Sequence, residues 1–409
     1  MIKIPKSFEL ENGLRVCIIP DENLDSVTIH LRGRVGSNYE LGNEIGSAHI
    51  VEHLLLNNSQ KNKIKSFGGN IVGVTSRDDV LFMVKTLKQH FPDGLDFLSE
   101  ILKPKTFGKE DLKKQKSIVV QEIKRSLSMP EKAITRLSKK TIFPNQRMGK
   151  LNTGELEDVQ RLNIKTIQDF HDRLYHPNNF VLVISGGVNK QVAKKYVEKF
   201  FGEFKKGETS PVLSISKENK LEIQCIEDPS LDKAFVNISY YSFPLKDESS
   251  YAAFVASKLL NNYLGNFIKS TLGLTYKVSC ENFSTGSYGL FSFYFSSEEK
   301  DVGDIIKHIM KVKDNLTNVL STRAVETIKI PIVASQIFDF EKVSIRADYY
   351  STVLLHGTKK QNHLYDIDTI KKVNVGNVRT VSQEILNQYP KITVISKNLK
   401  NKDIRSYLE

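Results

Sequence analysis

The residues best suited to chemistry stand in one short run, Gly46-Ser-Ala-His49-Ile-Val-Glu52-His53-Leu-Leu-Leu56. Helical geometry of ~100° per residue puts His49 and His53 on one face about a turn apart, where two imidazole nitrogens can converge on one tetrahedral ion. Ala48, Ile50, Val51, Leu54, Leu55 and Leu56 make the segment apolar and predict that this helix is buried. A buried carboxylate among imidazoles is costly unless a charge compensates it, and a divalent metal, read here as zinc, does so. Glu52 borders the histidine face without having to be a ligand, which suits a general base acting on a metal-bound water. A further carboxylate lies in Leu112-Lys-Lys-Gln115-Lys-Ser-Ile118-Val119-Val-Gln-Glu122-Ile. Positions 115, 118, 119 and 122 share a helical stripe, so Glu122 is expected on the face of Ile118 and Val119. Glu122 has two readings, an ion pair with a lysine or a third ligand beside His49 and His53. A catalytic zinc takes three protein ligands and keeps a fourth position for water.

These residues need a scaffold, and the chain supplies recognisable pieces of one. Phe8 to Ile19 reads as two strands about an Asn12-Gly13 turn. Ser26 to Arg34 alternates apolar and polar residues, predicting a third strand with one buried face and His30 on the surface. A polar, glycine-bearing loop from Gly36 to Ile45 delivers the chain into the His49 helix. Asn70 to Ser76 and Val80 to Thr86 read as an antiparallel pair, followed by helices at His90 to Leu102 and Lys109 to Ser126. The polar stretch Phe204 to Pro211 predicts a linker, after which strands at Leu221 to Ile226 and Ala234 to Tyr241 and a helix from Ser249 to Asn262 restart the order of the first half. His171 and His176 are expected to be structural, and His90, His308, His356 and His363 have no acidic or histidine partner at ligand spacing.

At 409 residues the chain is too long for one ordinary core and predicts two domains or more. Its 40% hydrophobic and 26% charged residues are those of a soluble globular protein. Cys17, Cys225 and Cys280 are odd in number and widely spaced, which suggests a reducing compartment without disulfides. No apolar run reaches the ~18 residues of a membrane span, and the start has no secretory hydrophobic region, so the expected location is cytoplasmic, away from membranes. The net charge of +12 and pI of about 9.2 raise nucleic acid as a partner. The lysines are interspersed with glutamates and no aromatic-interleaved basic motif appears, so the charge reads as a solvated face and no nucleic-acid site is expected.

Further matches extend along the chain: Gly68-Gly69 with Val74-Thr75-Ser76-Arg77, Ile118 to Ile123, Phe143-Pro144 with Leu151-Asn-Thr-Gly154, Phe170-His-Asp-Arg-Leu-Tyr175-His-Pro177-Asn-Asn-Phe180, and Leu272-Gly273-Leu274-Thr275-Tyr276. With His-x-x-Glu-His, the inverzincin motif, they resemble the pitrilysin/insulinase superfamily of zinc peptidases, in particular its short processing-peptidase branch. The resemblance implies an α+β chain of two similar α/β domains, each a mostly antiparallel sheet backed by helices. The boundaries expected are 1–205 for the metal-binding domain, 206–220 for the linker and 221–409 for a metal-free domain that shapes the substrate chamber. It implies one Zn2+ per chain held by His49, His53 and Glu122, with Glu52 as base, in a metalloendopeptidase for unfolded peptides or leader-like segments. The alternative is a non-catalytic or weakly active subunit of a heterodimeric peptidase. The expected partners are a peptide substrate and a second subunit, identical or related.

Three positions depart from the family pattern. Gln115 stands seven residues before Glu122, where relatives commonly have a glutamate. Val72-Gly73 replaces an Asn-Ala pair in the strand that binds substrate backbone. Relatives often present an arginine and a tyrosine seven residues apart from the second domain to steady the scissile carbonyl, and here the pair is Lys269 and Tyr276, with Tyr276 expected to stabilise the oxyanion. Two explanations compete: Lys269 serves less well in a homodimer, or a partner subunit supplies the second-domain contacts.

Overall fold

Apolar alternation at period two, interrupted by turn residues, builds two sheets in this chain, and period-3.6 segments cover them. The computed structural model describes residues 5–57, 60–211, 215–272, 277–357 and 362–409, with the side chains of 269–272 and 317–318 excepted. The first sheet has six strands: β1 (Ser7–Glu9), β2 (Arg15–Pro20), β3 (Ser26–Gly33), β4 (Asn70–Thr75), β5 (Val80–Leu87) and β6 (Phe180–Gly186). Their order is β1-β2-β6-β3-β5-β4, and only β2 and β6 run parallel. The predicted hairpin is β1 and β2, closed by Gly13 at a left-handed φ of 85° and by Asn12 Oδ1, which accepts from the Leu14 N–H at 3.1 Å. The predicted pair of Asn70 to Ser76 with Val80 to Thr86 is β4 and β5, which leaves β4 at the sheet edge.

The second sheet has β7 (Glu222–Glu227), β8 (Ala234–Ser242), β9 (Lys277–Ser284), β10 (Gly289–Ser297) and β11 (Lys391–Ser396), in the order β7-β11-β8-β10-β9. Its first and last strands are parallel neighbours and the rest antiparallel. That is the arrangement of β2 to β6, so the two similar, mostly antiparallel sheets that the resemblance implied are present, each with one parallel pair.

The chain divides into two compact units, and each draws on both halves of the sequence. The first comprises 1–124, 152–213 and 337–364; the second comprises 125–151, 214–336 and 365–409. One break, at 213/214, lies inside the expected linker, whose start is tied down in the first unit. There the Asn178 side chain bonds both the N–H and the C=O of Gly207, and Asn179 bonds Glu208 and Ser210. In the second unit the Pro130–Ile142 helix packs on β8 and β11. In the first unit the Val343–His356 helix packs on β3 and β6.

That second helix corrects the expectation for β3. His30 is 2% exposed, because the face it occupies is covered by a helix that arrives more than three hundred residues later. Burial, with the Arg32 charge beside it, lowers the His30 pKa to about 3. The helix is also held by charge. Arg32 donates to Ser351 Oγ and Asp79 at 3.0 Å each, and the Asp79 carboxylate lies 2.7 Å from His356 Nε2. Burial of Asp79 pulls its pKa upward, and Arg32 and His356 together hold it below the ordinary carboxylate value. His356 therefore has an acidic partner, one that spacing along the sequence does not reveal.

Candidate metal centre

The His49 helix runs Ser47–Leu56 and, as expected, buries Ala48, Ile50, Val51, Leu54, Leu55 and Leu56. It starts at Gly46, whose φ of 93° suits glycine. Glu40, itself buried, accepts from the Gly46 N–H at 3.0 Å and the Ala48 N–H at 2.9 Å, so a carboxylate satisfies donors that the helix leaves unpaired. A loop at 150–155, about a hundred residues later, completes the mount: Asn152 Nδ2 donates to the Thr75 carbonyl at 2.6 Å, and Thr153 O lies against Gly46 closely enough that a Cβ there would sit 3.0 Å away.

On this helix the His49 and His53 rings meet edge to face with centroids 4.6 Å apart. The Lys109–Leu127 helix brings Glu122 to them. Glu122 Oε2 is 3.8 Å from His49 Nε2 and 3.6 Å from His53 Nε2, and one ligand atom from each of the three residues lies within 4.8 Å of the others. A tetrahedral ion with bonds near ~2.1 Å separates its ligand atoms by about 3.4 Å, so these three fit a divalent metal with little movement. They form the single such group of His, Cys, Asp and Glu among the described residues. The stripe assigned to Glu122 needs correcting. Leu112, Gln115, Val119 and Ile123 are buried, whereas Ile118 is 39% exposed and the Glu122 side chain 46%. Glu122 stands at the margin of the buried face, which leaves the outer side of the three ligands open to water or substrate.

Gln115 lies behind His53, its Oε1 3.3 Å from Nδ1. With the amide oxygen as acceptor the Nδ1 proton is held there, and Nε2 is free to ligate. Glu52 is 5% exposed and stands outside the ligand group, accepting a 2.8 Å hydrogen bond from Thr75 Oγ1. Burial raises its pKa, opposed by the Thr75 bond and the His53 charge. Lys269 falls within the π-helical segment Gly265–Leu272 with its side chain outside the described part, and Tyr276 lies outside the described residues. Glu40 and Asn152 escaped notice as functional positions. A carboxylate shortly before a helix start is a recognisable capping signal for the first; Asn152 acts through a contact 77 residues away that no local pattern marks. His171 is buried and stacked on Tyr175, with Nδ1 3.1 Å from Asp172, consistent with a structural role.

Two family models match the chain, insulinase (peptidase family M16) over residues 15–153 and peptidase M16 inactive domain over residues 161–330. The chain belongs to this insulinase, or pitrilysin, peptidase family. An uncharacterised zinc protease of Rickettsia felis is 23% identical over 83% of this chain and 85% of its own. The mitochondrial-processing peptidase subunit beta of Bos taurus is 24% identical, over 74% of this chain and 66% of its own. A protease from Helicobacter pylori has the same fold, with a TM-score of 0.87 at 20% identity across 96% of this chain and 99% of that one. Among the described residues no helix is long and apolar enough to cross a membrane.

Proposed function

We propose that this chain is a zinc metalloendopeptidase that hydrolyses unfolded peptides or leader-like segments, with one Zn2+ per chain held by His49, His53 and Glu122. The observation that carries this reading is the convergence of three ligand atoms with one open side, next to a buried carboxylate, Glu52, that is not itself a ligand. Relatives named as zinc proteases support it. Zinc in this position would lower the pKa of a bound water toward ~7 and polarise a carbonyl. Glu52 accepts the proton of the attacking water and returns it to the leaving amine. A raised pKa suits that return, since a carboxyl that holds its proton can deliver it. The substrate reaches the site as an added strand: β4 is an edge, its outer N–H and C=O groups have no neighbouring strand among the described residues, and Thr75 at its end touches Glu52. Tyr276 is assigned the oxyanion contact and Lys269 the neighbouring charge, both on resemblance. We place the protein in the cytoplasm and expect it to work as a dimer of identical chains or with a related subunit. The second reading, a weakly active member of a heterodimer, is favoured by the lysine at 269 and by the relative that is itself a subunit.

Elemental analysis of purified protein tests the metal, with one zinc per chain expected. Glu122→Gln is expected to lose it. Glu52→Gln is expected to keep zinc and lose cleavage of an unfolded peptide by several orders of magnitude, measured by mass spectrometry. A parent protein that purifies and remains metal-free after zinc addition would sink the assignment.

A further inference from the structure

We infer that a basic groove along the Lys109–Leu127 helix is a docking site for an acidic segment of a partner polypeptide, one that carries apolar side chains between its carboxylates. The groove lies within the first unit and is distinct from the candidate metal centre.

It has a volume of about 490 Å3 and follows one stripe of the helix, Lys109, Leu112, Lys113, Lys116 and Val120, with Gln160 of the Leu156–Arg161 helix beside them. Pockets of ~300–1,000 Å3 are those that hold ligands. At ~100° per residue these five helical positions fall together, whereas Glu110 and Asp111 of the first turn fall off the stripe. No residue lining the groove is acidic. A segment whose lysines and acids are mixed along the sequence is thereby sorted into a face of one sign.

The charge of that face is uncompensated. Lys109 and Lys113 are exposed and, among the described residues, take part in no ion pair. Lys116 is partly buried, and its Nζ donates to the Gln160 carbonyl at 2.6 Å and the Leu162 carbonyl at 3.0 Å. Those neutral acceptors fix the ammonium at the groove without cancelling its charge, and burial lowers its pKa from the ordinary lysine value. Between the cations the floor is apolar, made by buried Leu112 and partly buried Val120.

Carboxylates complement the three ammonium groups, and an apolar side chain covers the floor. Lysines act as point charges, so they select sign and spacing and do not demand a planar two-pronged partner. Nucleic acid would supply charge, but the groove offers no aromatic side chain on which bases could stack. A second copy of this chain, at a net charge of +12, is repelled. Gln115 and Glu122 project from another side of the helix, so a segment in the groove does not lie across the candidate metal ligands. The occupant is therefore part of a separate polypeptide, not the peptide being cut.

The test measures binding of a fluorescein-labelled dodecapeptide of alternating glutamate and leucine by anisotropy. It uses full-length zinc-loaded protein with Glu52→Gln, so that the probe is not consumed. Lys109→Glu combined with Lys113→Glu, and separately Val120→Asp, are expected to weaken binding by ~10-fold or more. Lys114→Glu combined with Lys195→Glu makes the same change in net charge away from the groove and is expected to leave binding within about twofold. Equal losses from both pairs would overturn the proposal, because the charge would then act as a diffuse field. Equally tight binding of a glutamate–serine peptide or a single-stranded oligonucleotide would also overturn it, since the apolar floor would then select nothing. In a final arm, protein with Glu52 intact cleaves an unfolded peptide with and without a glutamate–leucine extension, and equal KM values are expected. A KM lowered ~10-fold by the extension, and restored by Lys109→Glu with Lys113→Glu, would make the occupant the substrate itself and overturn the assignment to a partner.

Discussion

His53 is held from both sides of its ring, with Glu122 3.6 Å from Nε2 and Gln115 3.3 Å from Nδ1. The second contact orients the first. A carboxamide accepts the Nδ1 proton more weakly than a carboxylate would, so the imidazole is a weaker donor to a metal than one backed by glutamate. Gln115→Ala is therefore expected to weaken zinc binding by roughly 10- to 100-fold and Gln115→Glu to strengthen it, read by competition with a chromophoric chelator. A weaker Gln115→Glu protein would show that the contact does not tune His53. Glu40 acts one step further out, on the start of the helix that carries both histidines. Glu40→Ala should cost about 1 kcal/mol or more of stability as the Gly46 and Ala48 donors lose their acceptor, a fall of roughly one to two degrees in Tm by calorimetry. His49, Glu52 and His53 were legible as types at a spacing, and Glu122 as a carboxylate on a neighbouring helix. Thr75 was not, because its contact with Glu52 joins a helix to a strand 23 residues away and no periodicity reports it.

The strands of the first half up to β5, the first two strands of the second half and the helices at His49, His90, Lys109 and Ser249 could be read from the sequence, because patterning and turn residues are local properties. The partner of each face could not. The Val343–His356 helix buries Arg346, Ala347, Tyr350, Ser351, Val353, Leu355 and His356, a mixture that names no particular sheet. Its cover over β3 turned His30 from an expected surface residue into a buried neutral one, and this has a measurable consequence. A histidine whose folded pKa is depressed to about 3 binds its proton first in the unfolded chain, near the ordinary 6.5. Stability is then complete above about 6.5 and is lost as pH falls below it, by up to roughly 1.4 kcal/mol per pH unit for one such group. Replacing His30 with leucine should flatten the acid limb of Tm against pH between 7 and 5. An unchanged slope would assign that limb to other groups.

At the scale of the molecule, one five-strand arrangement occurs twice, and among the described residues the group of two histidines and a carboxylate able to hold a metal occurs once. The units share the chain in pieces, and a cut in the linker does not separate them. A fragment of residues 1–210 lacks the helix that covers Cys17, Ile19 and Val183, which pack with Phe340, Ala347 and Tyr350. Alone it is expected to bind a hydrophobic dye and aggregate, and co-expression with 211–409 should restore a soluble, zinc-binding pair. A monomeric, protease-resistant 1–210 fragment would contradict this. The same interleaving sets a timetable for synthesis. The last strand of the first sheet ends at Gly186, and its covering helix begins at Val343. At 5–20 residues per second, the ribosome needs roughly ten to thirty seconds to deliver that helix after β6. For that interval the nascent first sheet is an uncapped surface, which makes this chain a natural client for a chaperone that waits at the ribosome.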